Sequence, residues 1–212
     1  MRRVPAQGTV PDWWDQATRT LARRDPVLRQ VIENSRDRVL RSRGNAFQSL
    51  ARSIVGQQIS VKAAHAVWGR LEASLGRVSY RQVSASDLPL LRSAGLSARK
   101  AEYLMELAAW FASGAGRRIR WPELTDAEVI SVLTERRGIG RWTAEMFLIF
   151  CLLRPDVFPV DDLGLLRALR ELYGSARGER SAAAEFGEQW EPWRSCATWH
   201  LWRHLDPVPV AY

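Results

Sequence analysis

From residue 12 to residue 205 the apolar residues recur every third or fourth position, and no segment sustains a strict alternation of apolar and polar side chains. A chain with the 3.6-residue period and without the two-residue period has to build its core from helices packed on helices. The spacing predicts helices over 12–24, 26–35, 45–57, 60–75, 86–94, 97–113, 125–136, 141–153, 162–173, 180–190 and 192–205. Local start and stop signals agree. Ser60 and Ser97 precede helical runs and can cap them. Thr125 and Glu128 form a capping-box pair, and Gly95, Gly114 and Gly174 end runs. β-Branched residues are scattered, and no internal repeat is present. The most loop-like internal stretch is GSARGERSAAAEFG at 174–187. The fold class is all-α, one unit over 1–212 with two helical lobes and a cleft between them.

Composition narrows the function. No apolar run is long enough to span a membrane. The N-terminal MRRVPAQGTVPDWW has two arginines with no apolar segment behind them, so it is not a secretory signal. A cytoplasmic location, at the nucleoid, is expected. Lys and Arg number 31 against 23 Asp and Glu, a net charge of +8. That surplus fits a polyanionic partner, and fits an arginine-rich proteome equally well. The two cysteines, Cys151 and Cys196, are too few for a zinc or iron–sulfur site and fall in apolar helical contexts. His200 and His204 share a helical spacing, but no glutamate follows the first as a zinc-protease helix requires.

The densest information lies in LTERRGIGRWTAEMFLIF, residues 133–150. One helix ends at Gly138-Ile139-Gly140 and another begins at once, a hairpin at about 133–143. Glycines allow positive φ and close backbone approach. The second helix opens with outward-facing N–H groups at the positive end of its dipole, a site suited to a DNA phosphate. Such a contact involves no base and would not read sequence. A plain helix–Gly–helix turn accounts for a bare G-x-G, but less well for one followed by RWTA and, about twenty residues on, an acidic helix start.

That start is RPDVFPVDDLGLLRALREL, residues 154–172, with adjacent Asp161 and Asp162. Leu165, Leu166, Leu169, Leu172 and Tyr173 make the inward stripe of the helix. One turn back from Leu165 and Leu166 lies Asp162, in register with the buried face. Asp161 fits a cap or a solvent position. A carboxylate heading a buried stripe is costly unless N–H groups hold it or chemistry uses it.

Together, GIGRWTAEMF and DVFPVDDLGLLRAL resemble the helix-hairpin-helix (HhH-GPD) superfamily, in its DNA-3-methyladenine glycosylase II branch. SLARSIVGQQISVKAAHAVWGRL (49–71), AGLSARKAEYLMELA (94–108) and WEPWRSCATWHLWRHL (190–205) resemble further segments of that branch in the same order. The likeness implies a monofunctional glycosylase that flips alkylated bases, of the 3-methyladenine type, out of DNA and leaves an abasic site. It implies the short form, without an N-terminal β-rich domain, acting as a monomer on double-stranded DNA. Asp162 lies five residues before Arg167, as the superfamily's catalytic aspartate lies before an arginine. The resemblance carries Trp142 and Trp202 to the base pocket, with Met146 where the branch often has an aromatic. It places Gly138, Ile139, Gly140, Arg141, Thr143, Gln57 and Gln58 at the DNA. Gln58 takes the place of the side chain that fills the gap left by the flipped base; from the residues alone, Gln57 and Gln58 equally well end a helix. Members that also cleave the backbone have lysine at position 142, and this chain has tryptophan. The resemblance implies no required cofactor, and a monovalent cation, sodium or potassium, on the backbone carbonyls of Thr134, Arg136 and Ile139. Arg137 replaces the usual proline and offers a phosphate contact. The remaining tryptophans, 13, 14, 68, 110, 121, 190, 193 and 199, are assigned to core packing. Two other readings stand beside this one: a glycosylase for an oxidised or deaminated base, and a DNA-binding protein without activity. The last would have no need of Asp162 at that position.

Overall fold

The computed structural model describes residues 3–205. Among them the regular elements are all helical: α1 (Trp14–Arg24), α2 (Pro26–Asn34), α3 (Ala46–Gly56), α4 (Val61–Leu75), α5 (Tyr80–Ala85), α6 (Leu88–Ser93), α7 (Ala98–Ala112), α8 (Ala115–Arg118), α9 (Asp126–Thr134), α10 (Arg141–Phe150), α11 (Leu163–Tyr173), α12 (Arg180–Gly187) and α13 (Arg194–Leu205), with three short 3-10 turns. Asp25, Asn45, Ser60, Ser79, Asp87, Ser97, Thr125 and Asp162 each accept a backbone N–H in the first turn of the helix they precede. Each such cap contributes about 1 kcal/mol. Thr125 and Glu128 complete the capping box in both directions. Gly95, Gly114 and Gly174 all have positive φ, as chain reversals after helices require.

The helices sort by packing into two groups. α3 to α10 pack among themselves, with α7 against α3, α5, α6 and α8, and with α10 against α3 and α9. α1 and α2 pack with α13, which packs on α11, and α12 joins α11. The first and last described helices thus share one lobe, and those between α2 and α11 build the other.

α10 is the central helix. Every residue from Thr143 to Phe150 is buried, so the helix is covered on all sides rather than along one stripe. It ends at Phe150, three residues short of the predicted end; the loop after it turns at Leu153, where φ is +55°. The sequence spacing does not give α5 and α8, helices of six and four residues. In the stretch 174–187 a 3-10 turn over Ser175–Gly178 leads into α12, the helix expected over 180–190. Phe186 there packs on Tyr173 and Trp190, which supplies the burial that its small-residue composition does not suggest. The eight tryptophans assigned to packing are all buried or partly buried. Cys151 and Cys196 are buried free thiols, and burial pushes both up to about 12.

Candidate active site

A cleft of about 730 Å³ opens where the end of α3, the start of α10 and the start of α11 meet. Its lining includes Gln57, Gln58, Trp142, Thr143, Asp161 and Asp162. Three segments separated by some eighty and twenty residues of sequence are brought together there.

Asp162 is the N-cap of α11. Its Oδ1 accepts the Leu165 N–H at 2.7 Å and the Trp202 indole N–H at 2.8 Å, and its Oδ2 accepts the Trp142 indole N–H at 2.7 Å. Three N–H donors fix the carboxylate in place. Of the two positions open to Asp161, cap or solvent, it takes the solvent one, and the cap is Asp162. Asp161 is half exposed and pairs instead with Arg180 at 3.1 Å. The loop leading to this pair is anchored from the opposite side: Ser195 Oγ accepts the Val157 N–H at 2.9 Å, and the Arg194 guanidinium grips Asp156 at 2.7 and 2.8 Å.

The aromatic set divides. Trp142 lines the cleft. Trp202 is buried; its ring stacks on Phe150 at 5.7 Å between centroids, and its edge turns to Asp162. Met146 is 1% exposed, part of the core and not among the cleft-lining residues. Trp202, expected in the base pocket, is like Met146 not among the cleft-lining residues, and both indoles act here through their edges, as donors to the carboxylate. Leu163, 79% exposed, stands at the cleft beside Asp162.

Gly164 explains how Trp202 comes so close. A Cβ there would lie 3.1 Å from Asp162 Oδ1 and 3.4 Å from Trp202 Cδ1. Gly164→Ala is expected to displace the carboxylate or the indole by a few tenths of an ångström. Displacements of that kind lower turnover by about tenfold. The check is the single-turnover rate measured beside the melting temperature. A rate within twofold of wild type would show that the spacing is not needed.

The hairpin between α9 and α10 is built on contacts invisible in its own sequence. Gly138 has φ +81°, and a Cβ on it would sit 2.2 Å from Tyr103 Cγ. Ile139 is buried, as is Thr143. Gln57 turns inward: its Nε2 donates to the Gly138 carbonyl at 2.9 Å and to Thr143 Oγ1 at 3.0 Å. Gln57 is thus a strut between α3 and the hairpin, and any ligand contact by Ile139 or Thr143 falls to the backbone. Gln58, next along, is exposed with φ +58°. Lys100 holds this corner, its Nζ donating to the Val55 and Gln57 carbonyls at 2.9 and 2.6 Å. Arg137, more than half exposed, bridges to Glu106 at 2.7 Å and Glu102 at 3.1 Å on α7. The N-cap of α10 is Gly140, which supplies no side-chain cap, so the first N–H groups of the helix are left for an outside partner. Thr134, Arg136 and Ile139 line the depression over the hairpin, where the Arg136 carbonyl already accepts the Ile139 N–H at 3.0 Å.

Lys100 and Gly164 are not marked as site residues by the sequence. The RK pair ahead of AEYL is the available signal for Lys100; nothing local marks Gly164.

Comparison with known proteins places these features. A family model described as HhH-GPD superfamily base excision DNA repair protein matches residues 51–192. DNA-3-methyladenine glycosylase 1 of Schizosaccharomyces pombe is 31% identical over 181 residues, covering 83% of this chain and 79% of that protein. The chain spans 60% and 65% of the lengths of two Bacillus subtilis relatives. Among solved structures, a DNA-3-methyladenine glycosidase from Bacillus halodurans is 34% identical, with a TM-score of 0.69 over 97% of this chain and 93% of that one. The S. pombe 3-methyladenine DNA glycosylase in complex with abasic DNA is 28% identical, with a TM-score of 0.75 over 89% of this chain and 95% of that one.

Proposed function

Because this chain belongs to the HhH-GPD superfamily of base excision DNA repair proteins, we propose that it is a monofunctional DNA glycosylase that excises alkylated bases of the 3-methyladenine type. The observation that carries this reading is the Asp162 carboxylate, held by three N–H donors at a cleft beside the hairpin.

The uncapped start of α10 receives a DNA backbone phosphate on its N–H groups, aided by the helix dipole. Phosphate contacts fix register without reading bases, so binding to duplex DNA is independent of sequence. The target nucleotide leaves the stack to reach the cleft. Gln58, exposed at the cleft, fills the vacated place, and the Gln57 strut and Lys100 keep its loop rigid. Cleavage of the N-glycosidic bond builds positive charge on the deoxyribose. The fixed Asp162 carboxylate stabilises that charge and orients the water that adds to the sugar. An alkylated base is already a good leaving group, since alkylation makes it cationic. The site therefore needs aromatic surface more than a general acid, and Trp142 supplies it, with an attraction of about 0.5–2 kcal/mol per ring. No lysine stands at 142 to form a Schiff base, so the product is an intact strand with an abasic site.

A monovalent cation on the carbonyls of Thr134, Arg136 and Ile139 belongs to the same proposal. Neutral oxygens suit such an ion, and the Arg136 carbonyl keeps one lone pair beyond its bond to Ile139. The ion would stiffen the turn that presents the α10 N–H groups. The protein acts as a monomer, in the cytoplasm at the nucleoid; no helix among the described residues is long and apolar enough to cross a membrane.

The test is release of methylated bases from alkylated duplex DNA. Free 3-methyladenine is expected, together with strands that break only after alkali treatment. Strand cleavage without alkali would refute the monofunctional reading. Binding to abasic DNA without release of any methylated base would redirect the assignment to another lesion.

A further inference from the structure

One charged group at this site is used by nothing described so far. Glu145 lies on α10, four residues after Arg141. Its side chain is 4% exposed, and its Oε1 accepts from Arg141 Nε at 2.9 Å. Its Oε2 is buried with no hydrogen-bond partner. Arg141 itself is 64% exposed and is the first residue of α10, where the hairpin presents its N–H groups. The buried carboxylate therefore depends on a single arginine that stands in the path of an incoming phosphate.

We infer that Glu145 is a positioning residue for DNA engagement: its carboxylate holds Arg141 over the hairpin in the free protein, and takes up a proton from solvent when a DNA phosphate draws Arg141 away. An ionised carboxylate left buried without a partner is far more costly than a neutral acid, so losing the arginine and gaining the proton go together. In the bound state Arg141 is on the phosphate, Oε2 carries the proton, and one fewer negative charge lies behind Asp162.

The surroundings set the direction. Glu145 is raised to about 7, chiefly by burial, with Arg141 pulling it down and Asp161 and Asp162, from the start of α11, pushing it up. Asp161 itself is paired with Arg180 of α12. Among these influences only Arg141 lowers the value, so transfer of Arg141 to a phosphate moves it above 7. Proton uptake on binding makes affinity fall as pH rises through that window.

This inference rests on the hairpin being the phosphate site. The experiment measures the affinity of the full chain for a duplex carrying a tetrahydrofuran abasic analogue, at fixed salt, from pH 6 to pH 9. Wild type is expected to hold its affinity below pH 7 and to lose up to about tenfold per pH unit above it, the limit for one proton. Glu145→Gln is expected to flatten the profile and bind at pH 8.5 at least as tightly as wild type. Calorimetry of wild type in two buffers of different ionisation enthalpy is expected to give uptake approaching one proton near pH 8, and needs no variant to fold. Flat wild-type affinity with no proton uptake overturns the inference while leaving the hairpin reading in place. Equal weakening of Glu145→Gln at every pH, with the slope kept, would make Glu145 merely structural and overturns it as well. No binding at any pH overturns both.

Discussion

Asp162→Asn is expected to lower the rate of base release about a thousandfold while the protein stays folded and still binds DNA carrying an abasic analogue. Two losses combine. The negative charge that faces the developing cation is gone. The asparagine amide also cannot accept three hydrogen bonds: its NH₂ must face one of the donors now at 2.7–2.8 Å from Asp162, the indoles of Trp142 and Trp202 or the Leu165 N–H. A buried donor facing a donor costs about 1–3 kcal/mol, so a modest fall in melting temperature accompanies the loss of activity. Asparagine still caps α11, which limits that fall. Asp161→Asn removes only a half-exposed pair with Arg180. Such pairs are worth about 0–1 kcal/mol, and the rate is expected to stay within about twofold. Single-turnover kinetics on alkylated duplex decide the matter. A slow Asp161→Asn beside an active Asp162→Asn would reverse the assignment.

The two hairpin glycines are expected to respond in opposite ways. Gly138→Ala meets Tyr103 at 2.2 Å and forces alanine to φ +81°. The left-handed conformation costs about 1–2 kcal/mol and the overpacking about 1–3. Stability should fall by about 3 kcal/mol, or roughly 8 °C in a protein of this size. Gly140→Ala meets nothing within 4 Å, and its φ of −92° suits any residue. Its melting temperature should not move. If a DNA backbone approaches there, its affinity for duplex DNA should fall about tenfold, equivalent to about 1.4 kcal/mol. Thermal unfolding and titration of both variants separate a glycine required by the fold from one required by the ligand. A Gly140→Ala protein with unchanged affinity would remove Gly140 from the DNA interface.

What the sequence determined by itself was whatever depends on neighbours along the chain. Helical periodicity defined most of the helices, because a side chain's face is set by its position within a few turns. Ser60, Ser97 and the Thr125–Glu128 pair marked starts correctly, because a cap bonds only two or three residues ahead. The register of Asp162 over Leu165 and Leu166 is local too, and it separated two adjacent aspartates. The tertiary structure decided what depends on residues far apart. That Asp162 is held by Trp142 and Trp202, twenty and forty residues away, follows from α10 and α13 crossing beside the start of α11. That Gln57 faces the hairpin rather than solvent follows from α3 packing on α10. Arg137 reads as a free cation in sequence and is committed to two glutamates of α7 in space. Glu145 stands in an ordinary helical pattern, and only its burial against Arg141 makes it a charge with a single partner. Burial and long-range hydrogen bonds are properties of how the helices pack, and the local pattern that makes each helix does not contain them.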